Sequence, residues 1–284
     1  MLPRPEAFFA SPRPGRHAER FALWLAPAAA PRALVVHVHS WVEEMNKSRR
    51  MVALQSRAFA ADGVAVLQMD RLGCGDSAGE HGDADWGGWM QDVLDACALA
   101  RQRCARQWPG HTPPLWLWGL RTGCLLATEA AARLEQEVNL LLWQPVLQGK
   151  TALQQFLRTE AMASRLGKTG DAPGTPARQR LAAGETVTVA GYDIAPALAQ
   201  GLEAARLQPP ANLGRAVWIE LASQADAITP PATVQAQMQW QQAGVELHAQ
   251  RVIGPAFWQT TEIEDAPALI AATTAAIEMP TLVS

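Results

Sequence analysis

Gly119-Leu120-Arg121-Thr122-Gly123 decides the fold of this 284-residue chain. The pentapeptide follows a short apolar run, Leu115-Trp116-Leu117-Trp118, and precedes a helix-like stretch from Cys124 to Glu137. Strand, tight glycine turn and helix, in that order, is the setting of a G-x-S-x-G nucleophile elbow. There the central serine sits on a strained turn with its hydroxyl raised at the C-terminal edge of a sheet. Here the centre is Arg121. A guanidinium is always charged and cannot serve as an acyl-transfer nucleophile. The spacing keeps the scaffold and drops its usual chemistry.

Outward from the elbow, strands and helices alternate. Phe21–Leu25, Ala33–His39, Val64–Met69 and Asn139–Trp143 read as strands, the second nearly all apolar as a strand buried on both faces should be. Trp41–Ser48 reads as a polar loop and Arg49–Asp62 as an amphipathic helix closed by Gly63. Arg71–Gly82 is a glycine-rich loop, and Asp85–Gln107 has helical spacing. From Gln148 to Pro210 the composition shifts toward Ala, Gln, Gly and Pro, with helix patterns at Ala152–Leu166 and Pro196–Leu207 around a flexible-looking Gly167–Pro176. The main pattern resumes with strand Ala216–Leu221, helix Pro231–Ala243, strand Val245–Ile253 and a last helix over Ala266–Glu278. This predicts an α/β-hydrolase fold: a mostly parallel central sheet, helices on both faces, and a helical cap inserted over the strand C-termini, where open α/β sheets bind ligands. The expected division is a first core part over 1–147, the cap over 148–210, and a second core part over 211–284.

Composition narrows the function. A chain 49% hydrophobic and 18% charged is ordered and globular. A net charge of −3 gives no footprint for nucleic acid or a membrane surface. No run approaches the ~20 apolar residues of a membrane span, and the N-terminus has no signal-peptide pattern. The four Cys are scattered and form no zinc-type spacing with His. Cys97 and Cys104, on one predicted helix, stand ~10 Å apart along its axis, too far for a disulfide. The expectation is a cytoplasmic, reduced protein with no metal and no cofactor. Eleven Trp against one Tyr leaves two readings, core filling or an aromatic-lined pocket.

The triad order in this fold is nucleophile, acid, histidine. Arg121 holds the first place. Asp226, in Ser223-Gln224-Ala225-Asp226, is placed as the acid. The loop after the last strand reads Gly254-Pro255-Ala256-Phe257-Trp258-Gln259-Thr260 and has no His, while His248 falls inside the preceding strand. Ser-His-Asp catalysis needs a base that takes and returns the proton, so the sequence argues against that mechanism. Cys124 at a helix start favours a thiolate, but no His is near it in sequence, and core packing is the preferred reading. His37, Ser40 and Ser77 have no diagnostic spacing.

Glu43-Glu44-Met45-Asn46-Lys47-Ser48-Arg49-Arg50 is the most specific string in the chain. Together with Leu72-Gly73-Cys74-Gly75-Asp76-Ser77, Trp118-Gly119-Leu120-Arg121 and Phe257-Trp258-Gln259, it resembles the exosortase A system-associated hydrolase 2 group of the α/β-hydrolase superfamily, over about Phe8–Leu269. The resemblance implies a cytosolic bacterial protein tied to PEP-CTERM sorting and extracellular polysaccharide production, with a companion α/β-hydrolase encoded nearby. Arg121 agrees with the group's own W-G-L-R pattern.

The Trp41–Ser48 segment follows the strand whose end supplies an oxyanion-hole amide, and should approach Arg121. Arg121, Glu44 and Asp226 are therefore the candidate catalytic residues: Arg121 to bind an anionic group, Glu44 as base or orienting partner. Trp41, Glu43, Asn46, Arg49, Phe257 and Trp258 are the candidate binding residues. The opposing reading is a buried Arg–Glu pair without chemistry. Three functions follow: a non-serine hydrolase or transferase on a saccharide or acyl intermediate, a non-catalytic protein binding an anionic or carbohydrate ligand, and a scaffold for the companion hydrolase.

Overall fold

The computed structural model describes residues 4–15, 17–165 and 175–278. Its centre is an eight-stranded sheet of β1 (Glu6–Ala10), β2 (Arg20–Leu25), β3 (Ala33–Val38), β4 (Val64–Met69), β5 (Leu115–Leu120), β6 (Val138–Trp143), β9 (Leu213–Ala222) and β10 (Glu246–Ile253). β7 (Val187–Val189) and β8 (Tyr192–Ile194) form a separate hairpin. The spatial order of the large sheet is β1-β2-β4-β3-β5-β6-β9-β10. β2 runs antiparallel to both of its neighbours, and every pair from β4 to β10 is parallel. The expected mostly parallel α/β architecture is therefore present.

Strand periodicity sorts the core into two faces. Leu115 and Leu117 of β5 join the cluster under α2 (Trp86–Gln107) and α3 (Gly123–Ala131). Trp116, Trp118 and Leu120 join the other, with α1 (Val42–Ala61) and α8 (Pro267–Glu278). Every tryptophan but Trp108 is buried, so core filling is their main role. On the α1/α8 face a run of edge-on rings links Phe59 to Trp118 (5.7 Å), Trp118 to Trp143 (4.6 Å) and Trp143 to Phe257 (6.1 Å). Edge-to-face packing of this kind adds to the burial itself.

Between β6 and β9 the chain leaves the sheet as α4 (Gly149–Arg165), α5 (Ala177–Ala182), the β7–β8 hairpin and α6 (Pro196–Ala204). The feet of this excursion meet: Gly149 N–H donates to Ala205 O (3.1 Å), Leu207 N–H donates to Leu147 O (3.0 Å), and Gln148 bridges to Arg206. Gly201 of α6 lies so close to Trp86 that a Cβ there would stand 2.2 Å from the Trp86 Cβ. The second half of the chain continues through α7 (Pro231–Gln242). The stretch 167–174, expected to be flexible, lies outside the described residues. Among the described residues no helix is long and apolar enough to cross a membrane.

The structure corrects two local expectations and adds elements the sequence did not announce. Trp41–Ser48 is not a loop: α1 starts at Val42 and carries the charged string on its first turns. Val42, Met45, Ser48, Val52, Gln55 and Phe59 form the buried stripe, and Glu43 and Glu44 sit where a helix N-terminus favours acidic groups. The helix expected over Cys124–Glu137 stops at Ala131, where the Asn212 side-chain amide donates to the Ala131 and Leu134 carbonyls. β1, α5 and the β7–β8 hairpin had no sequence signal strong enough to expect.

The elbow is held by a close approach. A Cβ on Gly123 would lie 2.1 Å from Val38 O and 2.6 Å from His39 O, so only glycine lets α3 start against the end of β3. Gly123→Ala should lose at least about 2 kcal/mol in urea denaturation, the range of an overpacked site. Gly184→Ala, strained at φ +87° but with nothing within 4 Å, should lose about 1 kcal/mol. Equal losses would remove the close approach as the cause.

Candidate functional site

The strand order places β3 between β4 and β5, so the order in which strands are added reverses across β3. The crevice beyond such a switch point is where open α/β sheets hold ligands. Three non-glycine residues with positive φ stand near the ends of adjacent strands there: Val42 (φ 46°) past β3, Arg121 (φ 53°) past β5 and Gln144 (φ 43°) past β6. A β-branched residue in this region is strained, and strain of this kind clusters at functional sites.

Arg121 and Glu44 meet, as the sequence suggested. Arg121 Nε donates to Glu44 Oε1 at 3.1 Å. Ser40 Oγ donates to Glu44 Oε2 at 2.6 Å and lies 3.0 Å from Thr122 Oγ1. The Arg121 guanidinium carbon stands 5.4 Å from the Trp258 ring centre, a cation–π approach. Among the described residues no group accepts from Arg121 Nη1 or Nη2. The backbone of the elbow is satisfied: Arg121 N–H donates to Trp143 O (3.0 Å), and Arg121 O accepts from Cys124 N–H (3.1 Å) and Val146 N–H (3.4 Å).

The other candidate residues divide into groups. Glu43 and Asn46 reach Tyr192 of the hairpin, whose hydroxyl donates to Glu43 Oε2 (3.1 Å) and accepts from Asn46 Nδ2 (2.9 Å). Trp41 is buried and packs on Phe156 of α4, ring centres 5.0 Å apart. Arg49 pairs with Asp70 (3.1 Å), whereas Arg50 points outward to Asp265. Phe257 and Trp258 are buried and pack on each other (5.2 Å). Asp226 is exposed on a loop that Arg251 holds through Ala227 O and Thr229 Oγ1, and no hydrogen bond or ion pair joins it to Arg121 or Glu44. Ser40, Thr122 and Tyr192 complete the network but were not singled out for it by sequence. Ser40 and Thr122 flank the two strand ends that the elbow brings together, and Tyr192 is the chain's single Tyr.

Cys124 and Ser40, the other candidate nucleophiles near the elbow, are both in the core. Cys124 is fully buried, and burial pushes its thiol well above the usual range. Ser40 is fully buried as well. His37, His39, His81 and His111 each direct Nδ1 or Nε2 to a backbone carbonyl, not to a hydroxyl or thiol. His248 lies within β10, opposite Val217. Burial pushes His37 down to about 3, with the Arg71 and Arg49 guanidinia adding to the shift, and it holds His39 well below the usual range. Arg71 is itself buried, stacked 4.5 Å over Trp89, and donates to His39 O (2.9 Å) and Ser40 O (3.0 Å). Small clefts lie around this end of the sheet, one lined by His37, Ser40 and Arg49 and another by Leu120, Trp143 and Trp258. Among the described residues no cluster of His, Cys, Asp or Glu could hold a metal.

Residues 29–179 match the sequence profile of the Hydrolase_4 family, described as serine aminopeptidase, S33. No curated protein matches. Solved structures with the same fold include Est1E from Butyrivibrio proteoclasticus with ferulic acid bound (16% identity, 91% of this chain and 94% of that one, TM-score 0.59). Others are a thermostable carboxyl esterase from Bacillus coagulans in complex with glycerol (15%, 98% and 98%, 0.58) and a soluble variant of the Saccharomyces cerevisiae monoglyceride lipase (13%, 96% and 93%, 0.57).

The buried histidines set a pH dependence. His37 binds a proton near pH 6.5 when unfolded but only near 3 when folded. Its contribution to stability is complete above pH 6.5 and is lost as pH falls toward 3, at up to about 1.4 kcal/mol per pH unit. Urea midpoints at pH 7 and pH 5 should therefore fall further for the native chain than for His37→Gln. Equal drops would show that His37 is protonated in the folded state.

Proposed function

The chain belongs to the Hydrolase_4 (serine aminopeptidase, S33) family, and we propose that it uses the α/β-hydrolase fold to bind a small monoanionic ligand at Arg121 rather than to carry out serine-dependent acyl transfer. One observation carries this reading. The guanidinium at the elbow is oriented by Glu44 through Nε alone, while Nη1 and Nη2 have no acceptor among the described residues. A planar fork of this kind suits a carboxylate or a phosphodiester oxygen pair. Glu44 cancels the charge of Arg121, so a dianion such as a phosphomonoester is disfavoured next to a single-charged ligand. Asp226 stays in this proposal as a rim residue, and the bound ligand is a carboxylate-bearing acyl or saccharide compound. The likeness to exosortase-associated proteins supports sugar acids as probes, and the ferulic acid held by the Butyrivibrio esterase supports ferulate. The 148–210 cap and a role beside a companion hydrolase belong to the same proposal, as does a cytoplasmic location.

The test is calorimetric titration with ferulate, short-chain carboxylates, glucuronate and phenyl phosphate, alongside hydrolysis of a panel of acyl esters and glycosides. Carboxylates should bind and phenyl phosphate should bind more weakly. Arg121→Ala should weaken carboxylate binding about 10- to 100-fold, the worth of a charge-assisted hydrogen-bonded pair. Arg121→Lys should fall between, because an ammonium lacks the fork. Ester turnover abolished by Glu44→Gln would replace this reading with a non-serine hydrolase. Absence of both binding and turnover would leave the scaffold reading, which the buried Phe257 and Trp258 favour.

A further inference from the structure

The β7–β8 hairpin is clamped to the body of the protein at two places. On one side Tyr192 places its hydroxyl between Glu43 and Asn46 of α1. On the other, His81, in the short 3-10 turn His81–Asp83, donates through Nδ1 to Asp193 O (2.8 Å). Its ring packs edge-on against Tyr192, 5.6 Å between centres. Phe156 of α4 sits 6.4 Å from the same ring and 5.0 Å from Trp41. The Tyr192 hydroxyl keeps its proton, since burial and then Glu43 push it up to about 12. It remains a donor at every pH the protein meets.

Glu43 and Glu44 are neighbours on the first turn of α1, and they reach in different directions: Glu43 to the hairpin, Glu44 to Arg121. That turn begins at the strained Val42, and no side chain caps its free N–H groups. Beside the buried Val42 and Met45, its two acidic side chains tie it to the hairpin and to Arg121. The Arg121–Glu44 pair is also largely covered as it stands, with the two side chains 18% and 23% exposed.

We infer that Tyr192 is the positioning residue that latches the β7–β8 hairpin to the first turn of α1, and that release of this latch opens the Arg121–Glu44 site to a ligand. The inference concerns access to the site proposed above, and it rests on that reading only for what enters.

The experiment is chemical labelling of native protein with phenylglyoxal, a reagent for accessible guanidinium groups, followed by mass spectrometry of each arginine peptide. Tyr192→Phe keeps the ring contacts with His81 and Phe156 and removes only the hydroxyl. The adduct rate at Arg121 should rise about tenfold, the factor that one hydrogen bond to a charged group is worth. The rate at Arg50, which sits outward on the same helix with Asp265, should not change. Thr188→Ala, which removes a hydroxyl that bonds Asp193 within the hairpin, should leave Arg121 at the native rate. Thermal unfolding of each variant separates general loosening from the latch, since general loosening would raise Arg50 and Arg121 together. An unchanged Arg121 rate in Tyr192→Phe would overturn the inference. So would a native Arg121 that already reacts as fast as Arg50. Acetate or ferulate added to Tyr192→Phe probes the other proposal: failure to protect an opened Arg121 would sink anion binding and leave the latch standing.

Discussion

The ligand end of the sheet depends on the contact between Gly123 and the carbonyls of Val38 and His39. Because no side chain intervenes, α3 starts directly against the end of β3, and the turn from β5 must double back through positive φ at Arg121. Once that turn is closed, its backbone hydrogen bonds run to Trp143, Cys124 and Val146 and involve no atom of the Arg121 side chain. The elbow is thus a backbone device. It presents whatever side chain occupies its apex to the crevice between β3 and β5, and a change of that side chain alters chemistry without altering the fold. An arginine there is compatible with the whole hydrolase architecture, and the match to esterase structures at 13–16% identity describes that architecture alone.

Arginine at the apex still has to be accommodated. A partly buried guanidinium is unfavourable without a counter-charge, and Glu44 supplies it from a helix start where the peptide dipoles already favour a carboxylate. Ser40, at the end of β3, then donates to the second oxygen of Glu44, and Thr122, past the end of β5, pairs with the Ser40 hydroxyl. The same region holds a second guanidinium, Arg71, fully buried against Trp89 and donating to the last carbonyls of the β3 segment. Burial suppresses protonation of the neighbouring imidazoles His37 and His39, and the Arg71 and Arg49 guanidinia add to the effect. A histidine that stays neutral down to about pH 3, as His37 does, is a weak base.

Much of this was legible in the sequence because it rests on short-range patterns. Strands β3 to β6 announce themselves as apolar runs bounded by turns, and the elbow by its glycine spacing. The Glu44–Arg121 meeting followed from placing the segment after β3 beside the turn after β5. The start of α1 was not legible. Its first turns carry Glu43, Glu44, Asn46, Lys47, Arg49 and Arg50, a run polar enough to read as loop, and the apolar stripe that defines the helix emerges only when Val42 and Met45 are seen in register with Val52 and Phe59. The premature end of α3 comes from Asn212, about eighty positions away, reaching its last carbonyls. The hairpin strands are three residues each, below the length at which alternation can be recognised. Asp226 illustrates a different limit: the order of elements places it after the correct strand, but the direction of its side chain is set by how Arg251 ties the loop.

The first turn of α1 joins these threads. Helix N-termini are ordinarily secured by a capping side chain that satisfies the free N–H groups. Here Trp41 occupies the cap position and offers none, and the next residue, Val42, is in a conformation that a β-branched side chain resists. Two neighbouring glutamates hold the turn from outside instead, one through the elbow of the sheet and the other through the hairpin of the β6–β9 excursion. The geometry of the turn is the joint consequence of the charge on Arg121 and the placement of Tyr192, so a disturbance at either one is transmitted to the other across a single peptide unit. This is a short path between Arg121, past the end of β5, and the β7–β8 hairpin.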